Sequence, residues 1–471
     1  MIHKFRMHDT NIVLDVNSGA VHVLDDLACK LLDGFDENGE LLEGLSAESV
    51  LQEKNSGVKE SLIGKLLNEF SHEEILEALS EIRELKENDQ LFSKDLFEEH
   101  LLANTAADKR QPVVKALCLH IAHDCNLRCR YCFAATGDFG TSRTLMPFET
   151  GKKAIDFLIE ESGSRRNLEV DFFGGEPLMN FEVVKQIVEY ALGRTEQTGK
   201  NFRFTLTTNA VLLKEEHRQF INKYIGNIVL SIDGRPEVND NMRLRADGRG
   251  TYRDILPKIK EMADSRNQDG YYVRGTFTRE NPDFSKDVLH LADLGFKQIS
   301  VEPVVAAKDT GFDIRQEDLP QLFNEYESLA LEYVKRHKES NGFNFFHFML
   351  DLDHGPCVLK RLKGCGSGHE YLAVTPEGDL YPCHQFVGME KFKMGNVNNG
   401  TTIDMKIREQ FVKQTIYSKP DCRECWARFF CSGGCAANAW QFNNCLDKPY
   451  SIGCELERKR VECALWAKVM E

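Results

Sequence analysis

Three cysteines crowd the stretch His123-Asp124-Cys125-Asn126-Leu127-Arg128-Cys129-Arg130-Tyr131-Cys132-Phe133, spaced C-x3-C-x2-C with an aromatic residue directly after the last. Thiols this close cannot all lie along one helix or strand, but a loop can wrap them around a compact inorganic core. A 4Fe–4S cube normally takes four cysteines, so a three-cysteine loop leaves one iron open to another ligand. Two further readings use the same residues. Zinc wants a fourth ligand, for which His123 or Cys118 is available, and a disulfide pair would leave one thiol spare.

The rest of the composition narrows the setting. A chain of 471 residues is long enough for about two to four domains with cores of their own. Apolar residues at 42% and charged residues at 28% describe a globular protein. A net charge of −15, with no Lys/Arg block, argues against a nucleic-acid partner. The opening Met1-Ile2-His3-Lys4-Phe5-Arg6 leads into Asp9 rather than an apolar core, so no signal peptide is visible. No apolar run approaches a membrane span. Fifteen cysteines in such a chain point to metal or cluster ligation in the reducing cytoplasm rather than to disulfides.

Residues 1–95 hold a single cysteine, Cys29, the size of a buried small hydrophobe. Asn11–Val16 alternates with period two, Asn17-Ser18-Gly19 supplies a turn, and Ala20–Leu24 returns as a second strand. Asp25–Leu32 reads as a helix with an acidic N-terminus, and Glu74–Ile82 with Leu85 as a second, apolar on one stripe. A hairpin-plus-helices module with an open strand edge can add a peptide as an extra strand. The alternative is a structural N-terminal cap. Residues 96–112 are polar, end in Gln111-Pro112 and read as a linker.

A β/α alternation follows over 113–310. Its strands are expected at Leu117–Ala122, Leu168–Phe173, Arg203–Thr208, Ile228–Ile232, Tyr272–Arg279 and Gln298–Val304. Helical patterns at Thr150–Glu161, Phe181–Leu192, Glu215–Tyr224 and Ser285–Leu294 lie between them. Six units imply parallel strands but fall short of a closed eight-unit barrel, so the expected fold is α/β with an open, partial (β/α)6 TIM-like barrel. Sites in such barrels lie at the C-terminal ends of the strands, and the cysteine loop begins just after the first. Residues 311–355 read as a bridging region, mainly a helix from Glu317 to about Lys338 and then a Phe-rich core segment. From 356 to 471 the cysteines crowd again: Cys365-x12-Gly378-x4-Cys383, then Cys422-x2-Cys425-x5-Cys431-x3-Cys435, then Cys454. A C-x2-C pair is also zinc-like, so two structural zinc sites are the rival reading of this field.

The C-x3-C-x2-C loop resembles the signature of the radical S-adenosylmethionine (SAM) enzymes, in which the free iron of a 4Fe–4S cluster chelates SAM. The cluster, on Cys125, Cys129 and Cys132, would cleave SAM to a 5′-deoxyadenosyl radical that takes a hydrogen atom from the substrate. Gly174-Gly175-Glu176-Pro177 resembles the GGEP turn of the same enzymes, whose backbone, and sometimes acidic side chain, contacts the methionine ammonium of SAM. By that resemblance Ser231 and Arg243 reach the ribose and carboxylate of SAM, with Thr208 at the end of the third strand also at the SAM site. Glu302, ending the sixth strand, is a weaker candidate.

The C-terminal field is similar in order and spacing to the seven-cysteine SPASM extension, which holds two auxiliary 4Fe–4S clusters. Carried over by position, Cys422, Cys425, Cys431 and Cys454 hold the outer cluster, and Cys365, Cys383 and Cys435 the inner. The inner cluster's fourth ligand is Cys357 or a thiolate of the substrate. Cys445 and Cys463 fit no position. The N-terminal module is similar to the precursor-peptide recognition (PqqD-like) element of peptide-modifying enzymes. His354-Gly355-Pro356-Cys357, Gly364-Cys365-Gly366 and Tyr381-Pro382-Cys383-His384-Gln385-Phe386 resemble maturases of the SCIFF peptides. The resemblance implies three 4Fe–4S clusters, SAM, a cysteine-rich precursor peptide as substrate and a low-potential donor such as ferredoxin or flavodoxin. The reaction would join a cysteine sulfur to an α-carbon as a thioether (sactionine) link, with the donor thiolate held on an open auxiliary iron. Anaerobic sulfatase maturation and a non-catalytic zinc scaffold are the alternatives.

Overall fold

A computed structural model describes residues 1–42, 62–99, 113–307, 310–352, 358–400 and 403–471. Cys357 and most of the 96–112 stretch therefore lie outside the described residues.

Strands β1 (Ile2–Met7), β2 (Thr10–Asp15) and β3 (Val21–Leu24) form an antiparallel sheet in the order β1-β2-β3. The first of these was not expected from the sequence. Period-two alternation in β2 suggested one buried face, yet Ile12, Val13 and Leu14 are all fully buried. Val13 joins the module's own core with Leu31, Ile75 and Leu79, while Ile12 and Leu14 join clusters of the main body. The sheet is sandwiched, so its middle strand is apolar on both faces. Helices at Asp26–Leu31, capped by Asp25, and at His72–Glu87, opened by a Ser71/Glu74 capping box, cover the module side.

Asp15 ties the hairpin to the segment after these helices. It accepts from the backbone N–H of Ser18 (2.8 Å) and Ser93 (3.0 Å) and from both their hydroxyls. Burial pushes its carboxyl up, but the bonds from Ser93 and Ser18 outweigh burial and hold it below the ordinary value. A carboxylate with a depressed folded value contributes stability that is complete above its unfolded value, about 4, and is lost as pH falls through the folded one. Asp15→Asn is expected to lower the module's stability at neutral pH by about 1–3 kcal/mol. It should also flatten the loss below about pH 4, read from hydrogen exchange of β2 across pH 3–7.

Among the described residues the main sheet has ten strands in the order β10-β9-β8-β7-β6-β5-β4-β11-β12-β13. Six central parallel strands are β4 (Ala116–Ala122), β5 (Asn167–Gly174), β6 (Asn201–Thr208), β7 (Asn227–Ser231), β8 (Tyr271–Phe277) and β9 (Gln298–Pro303). These match the expected strands to within about two residues at each end. Helices at Phe148–Glu161, Phe181–Thr198, Glu215–Tyr224 and Phe284–Asp293 stand where periodicity placed them. Two more, Pro236–Met242 and Tyr252–Ser265, were not read; Pro257 inside the second reads as a helix breaker.

Three features of the packing were not expected from the sequence. The Phe-rich bridge contributes a strand, β10 (Asn344–Phe345), which pairs parallel with β9. The C-terminal region adds strands to the same sheet: its β11 (Tyr371–Val374) pairs parallel with β4, and β12 (Asp379–Tyr381) and β13 (Gly395–Asn396) follow antiparallel. Pairing satisfies the β4 edge that an open partial barrel would otherwise expose. Residues 96–99, read as the start of a linker, are helical and packed, with Phe97 against Phe429 at 5.2 Å between ring centroids.

Candidate active site

The cysteine loop leaves β4 and is fastened on two sides. Arg128 N donates to Leu244 O (2.7 Å) and Arg130 N to Met242 O (3.0 Å), which brings the loop against the segment that carries Arg243. On the other side Gly175 N donates to Ala122 O (2.8 Å) and Glu176 N to Asp124 O (2.9 Å). Gly174 sits at φ +123°, where a Cβ would meet Ala122 O at 2.4 Å, and only glycine permits that approach. The turn after β5 is therefore laid onto the cysteine loop backbone to backbone.

One cavity results, at the C-terminal ends of the strands. Cys125, Cys129 and Cys132 line it together with Gly174, Gly175 and Glu176. Thr208 from the end of β6, Ser231 from the end of β7 and Arg243 complete the set that the sequence singled out. All nine are brought together, but several side chains are already engaged. Glu176 is 1% exposed and accepts from Leu178 N (3.0 Å), Thr208 Oγ1 (2.7 Å) and Asn209 N (2.8 Å). Burial pushes its carboxyl up while these donors pull it down. Glu176 and Thr208 thus hold the turn, which leaves its backbone to face a ligand.

Sequence reasoning passed over Asp233, Tyr131 and Gly137. Asp233 is fully buried and accepts from Tyr131 Oη (2.8 and 2.9 Å) and Thr276 N (3.1 Å). Burial lifts it to about 6, against the pull of Arg243. Arg243 Nη1 donates to Tyr131 Oη (2.8 Å) and lies 3.7 Å from Asp233, so the guanidinium is held at the cavity wall with its charge balanced. Gly137, at φ +102°, lies where a Cβ would meet Cys125 Cβ at 2.6 Å. The aromatic residue before Cys132 and the glycine after the loop were visible as letters, but their partners lie too far along the chain to be inferred.

Burial pushes the thiols of Cys125 and Cys129 up, to about 12 and about 11. Each keeps its proton until a metal displaces it, so cluster loading releases protons and favours higher pH. Three thiols, a backbone cradle shaped by Gly137 and Gly175, and a buried guanidinium are the donor set that a three-cysteine cluster and an amino-acid ligand require.

His123 and Cys118, the proposed fourth zinc ligands, do not face this cavity. His123 pairs with His120 Nδ1 (3.0 Å) and Thr141 Oγ1 (2.8 Å), and Cys118 is 1% exposed inside the main core. Among the described residues no three His, Cys, Asp or Glu side chains converge on a point that would hold one ion.

Cys422, Cys425, Cys431 and Cys454 line a second cavity of about 210 Å³, and Arg458 Nη1 lies 4.0 Å from Cys425 Sγ. Cys365, Cys383 and Cys435 approach one another: burial pushes the Cys383 thiol up, and Cys435 and Cys365 beside it push it further. Gly433-Gly434, between Cys431 and Cys435, are both at positive φ, and Gly364 comes within Cβ reach (3.2 Å) of Ser432 O. The rings of Phe133 and His384, which directly follow Cys132 and Cys383, lie 5.5 Å apart, so the first cavity and this cysteine group are neighbours. Glu302 lines neither. Burial pushes its carboxyl up, but His347 at 3.3 Å, Arg274 and Arg460 hold it well below the usual range, as part of a structural ion-pair network.

Residues 114–256 match the family model described as a 4Fe-4S single cluster domain, and residues 365–426 match SPASM, an iron-sulfur cluster-binding domain. The chain belongs to the radical SAM/SPASM maturase family. Curated relatives of this radical SAM/SPASM chain include a cysteine-type anaerobic sulfatase-maturating enzyme of Clostridium novyi (strain NT), 21% identical over 67% of this chain and 86% of that one. Another is the antilisterial bacteriocin subtilosin biosynthesis protein AlbA of Bacillus subtilis (strain 168), 22% identical over 62% of this chain and 59% of that one. Among solved structures, native anSMEcpe with bound AdoMet and Kp18Cys peptide has a TM-score of 0.62 at 18% identity, covering 76% of this chain and 98% of that one. Streptococcus suis SuiB bound to precursor peptide SuiA has a TM-score of 0.50 at 16% identity, covering 96% and 98%. The structural likenesses show the shared fold. Both matched models are iron–sulfur domains, which supports iron–sulfur clusters over zinc. No helix among the described residues is long and apolar enough to cross a membrane.

Proposed function

We propose that this radical SAM/SPASM enzyme matures a ribosomally made, cysteine-rich peptide by joining a cysteine sulfur to the α-carbon of another residue, closest in kind to the SCIFF peptide maturases. The observation that carries this reading is the N-terminal module. It has its own core, it is docked on the body, and β3 is an edge strand with Val23 55% exposed. A free edge suits an extended leader peptide, whereas a folded sulfatase needs no leader-binding domain. The matched span of the anSMEcpe structure leaves about a quarter of this chain unaccounted for, and that of SuiB almost none.

Cys125, Cys129 and Cys132 would hold the first cluster, and Gly174, Gly175, Ser231, Thr208 and Arg243 would surround SAM. Bound there, cluster and SAM supply hydrogen-atom abstraction from the peptide. The chain's own part is placement and shielding. Arg243, fixed by Tyr131 and Asp233, offers a charged fork to a carboxylate. Phe133 and Phe173 line the cavity and would give a bound substrate an apolar wall. A cleft of about 800 Å³, lined by Phe133, Ala306, Phe312, Met389 and Trp440, opens beside the first cavity and gives a peptide room to approach.

Two auxiliary clusters on the C-terminal cysteines would bring the total to three cubes, with electrons delivered by a ferredoxin or flavodoxin in the cytoplasm. Cys357 or a substrate thiolate would complete the inner set. The test is anaerobic incubation of the reconstituted full chain with SAM, dithionite and cysteine-rich peptides. Loss of two hydrogens per link, with the linkage mapped to an α-carbon by tandem mass spectrometry, is the expected result. Formylglycine in a sulfatase-derived peptide, with no change in cysteine-rich peptides, would replace this reading by sulfatase maturation.

A further inference from the structure

The N-terminal module and the outer cysteine group share more than a surface. Arg428 opens the short helix Arg428–Cys431, lies three residues after Cys425 and lines the cavity of the four outer cysteines. It is 4% exposed, and a buried guanidinium must be paired. Its partners are mostly on the module side: Nη2 donates to Asn17 Oδ1 (2.6 Å) and to Asp95 Oδ2 (3.1 Å), while Nη1 donates to Arg423 O (2.9 Å). Nε is buried with no partner among the described residues.

Further contacts repeat the connection. Tyr417 Oη donates to both oxygens of Asp95 (2.8 Å each). Trp426, directly after Cys425, stacks on His3 of β1 at 3.7 Å between centroids and 4° between planes. His3 Nε2 reaches Glu462 (3.0 Å), on the same Ser451–Met470 helix that carries Cys454. Below these polar contacts Leu14 and Val16 of the module share one apolar cluster with Cys422, Phe429 and Leu465.

We infer that the N-terminal module forms one wall of the outer iron–sulfur site, with Arg428 as the positioning residue, so that cluster occupancy and module docking are thermodynamically coupled. The inference rests on the reading of Cys422, Cys425, Cys431 and Cys454 as cluster ligands. Asn17 and Asp95 fix the guanidinium, the guanidinium fixes the start of the helix that ends in Cys431, and Trp426 fixes the backbone after Cys425. A docked module therefore pre-organises the loop that presents two of the four thiolates. Coupling is reciprocal: a filled outer site must hold the module down by the same factor that the docked module tightens the cluster.

The test uses the full-length, anaerobically reconstituted protein. Asp95→Asn touches no cysteine and removes one anion from Arg428. It is expected to lower the bathophenanthroline disulfonate concentration that strips half of the outer cluster at equilibrium by about 5- to 150-fold, with peptide-independent SAM cleavage unchanged. Tyr417→Phe, which only frees Asp95 from one donor, should act in the same direction more weakly and serves if Asp95→Asn does not fold. Conversely, Cys425→Ser should speed hydrogen exchange of the β2 amides although it lies outside the module. A half-stripping concentration for Asp95→Asn within twofold of the parent (or, where that variant does not fold, one for Tyr417→Phe equal to the parent's), or unchanged exchange in β2 of Cys425→Ser, would overturn the coupling. A parent protein with no iron beyond the first cube would instead refute the ligand reading on which the coupling rests.

Discussion

Cys129→Ala is expected to abolish reductive SAM cleavage and to remove about four irons, with their sulfide, from the reconstituted protein. Cys129 lines the first cavity between Cys125 and Cys132. The loop that carries it is held in place by main-chain bonds to Met242 and Leu244, so neighbouring thiols cannot migrate to replace it. With two thiolates left, a cube has two irons to be satisfied by solvent or buffer, and it is not retained. Cys463→Ala is the matched control. Cys463 is fully buried in the core on the Ser451–Met470 helix, so its loss costs packing and no iron. Iron and sulfide per chain, together with 5′-deoxyadenosine formed with dithionite, separate the two variants. Retention of cleavage by Cys129→Ala would place the chemistry elsewhere.

Gly175→Ala is the second large effect, and it tests the turn rather than the ligands. A Cβ at Gly175 would stand 2.1 Å from Asp124 O, 2.6 Å from Asp124 C and 2.9 Å from Gly137 O. All three are backbone atoms, so no side chain can swing aside, and the clash falls on the residue immediately before Cys125. Relieving it requires moving the cysteine loop or the turn by most of an ångström. Displacement of that size at a reacting centre costs about 100-fold in rate, and overpacking adds about 1–3 kcal/mol of instability. SAM cleavage is therefore expected to fall at least about 100-fold, with weaker SAM binding in equilibrium dialysis. Gly193→Ala, on the helix Phe181–Thr198 with nothing within 4 Å of its Cβ, should instead stabilise by about 0.5–1 kcal/mol. If Gly175→Ala retains full cleavage and SAM affinity, the turn does not shape the SAM site.

Parts of the fold and site were legible because their signals are local. The strands β4 to β9 and four of the helices between them follow from hydrophobic period over about ten residues, and the cysteine loop follows from spacing over eight. The GGEP turn could be attached to the right strand end because it directly follows one. By contrast β10 has only two residues and β1 lies in an unremarkable N-terminal run, so neither carried a period to read. Tyr252–Ser265 was hidden by its internal proline.

The sequence by itself determined the candidate ligands: which thiols stand close enough along the chain to share a metal core, and which glycines free the backbone beside them. Those are properties of spacing and side-chain chemistry, and they survive in any fold that makes the loop. Only the tertiary structure decided the pairings across the chain. It set Asp233 under Tyr131 and Arg243, turned the Glu176 carboxylate inward to Thr208 and Asn209, and assigned Glu302 to an ion-pair network instead of the cavity. It also joined the C-terminal strands to β4 and packed Asn17 and Asp95 against Arg428, more than 300 residues away. A buried charge takes whatever counter-charge the fold brings within reach, and no local pattern encodes that choice.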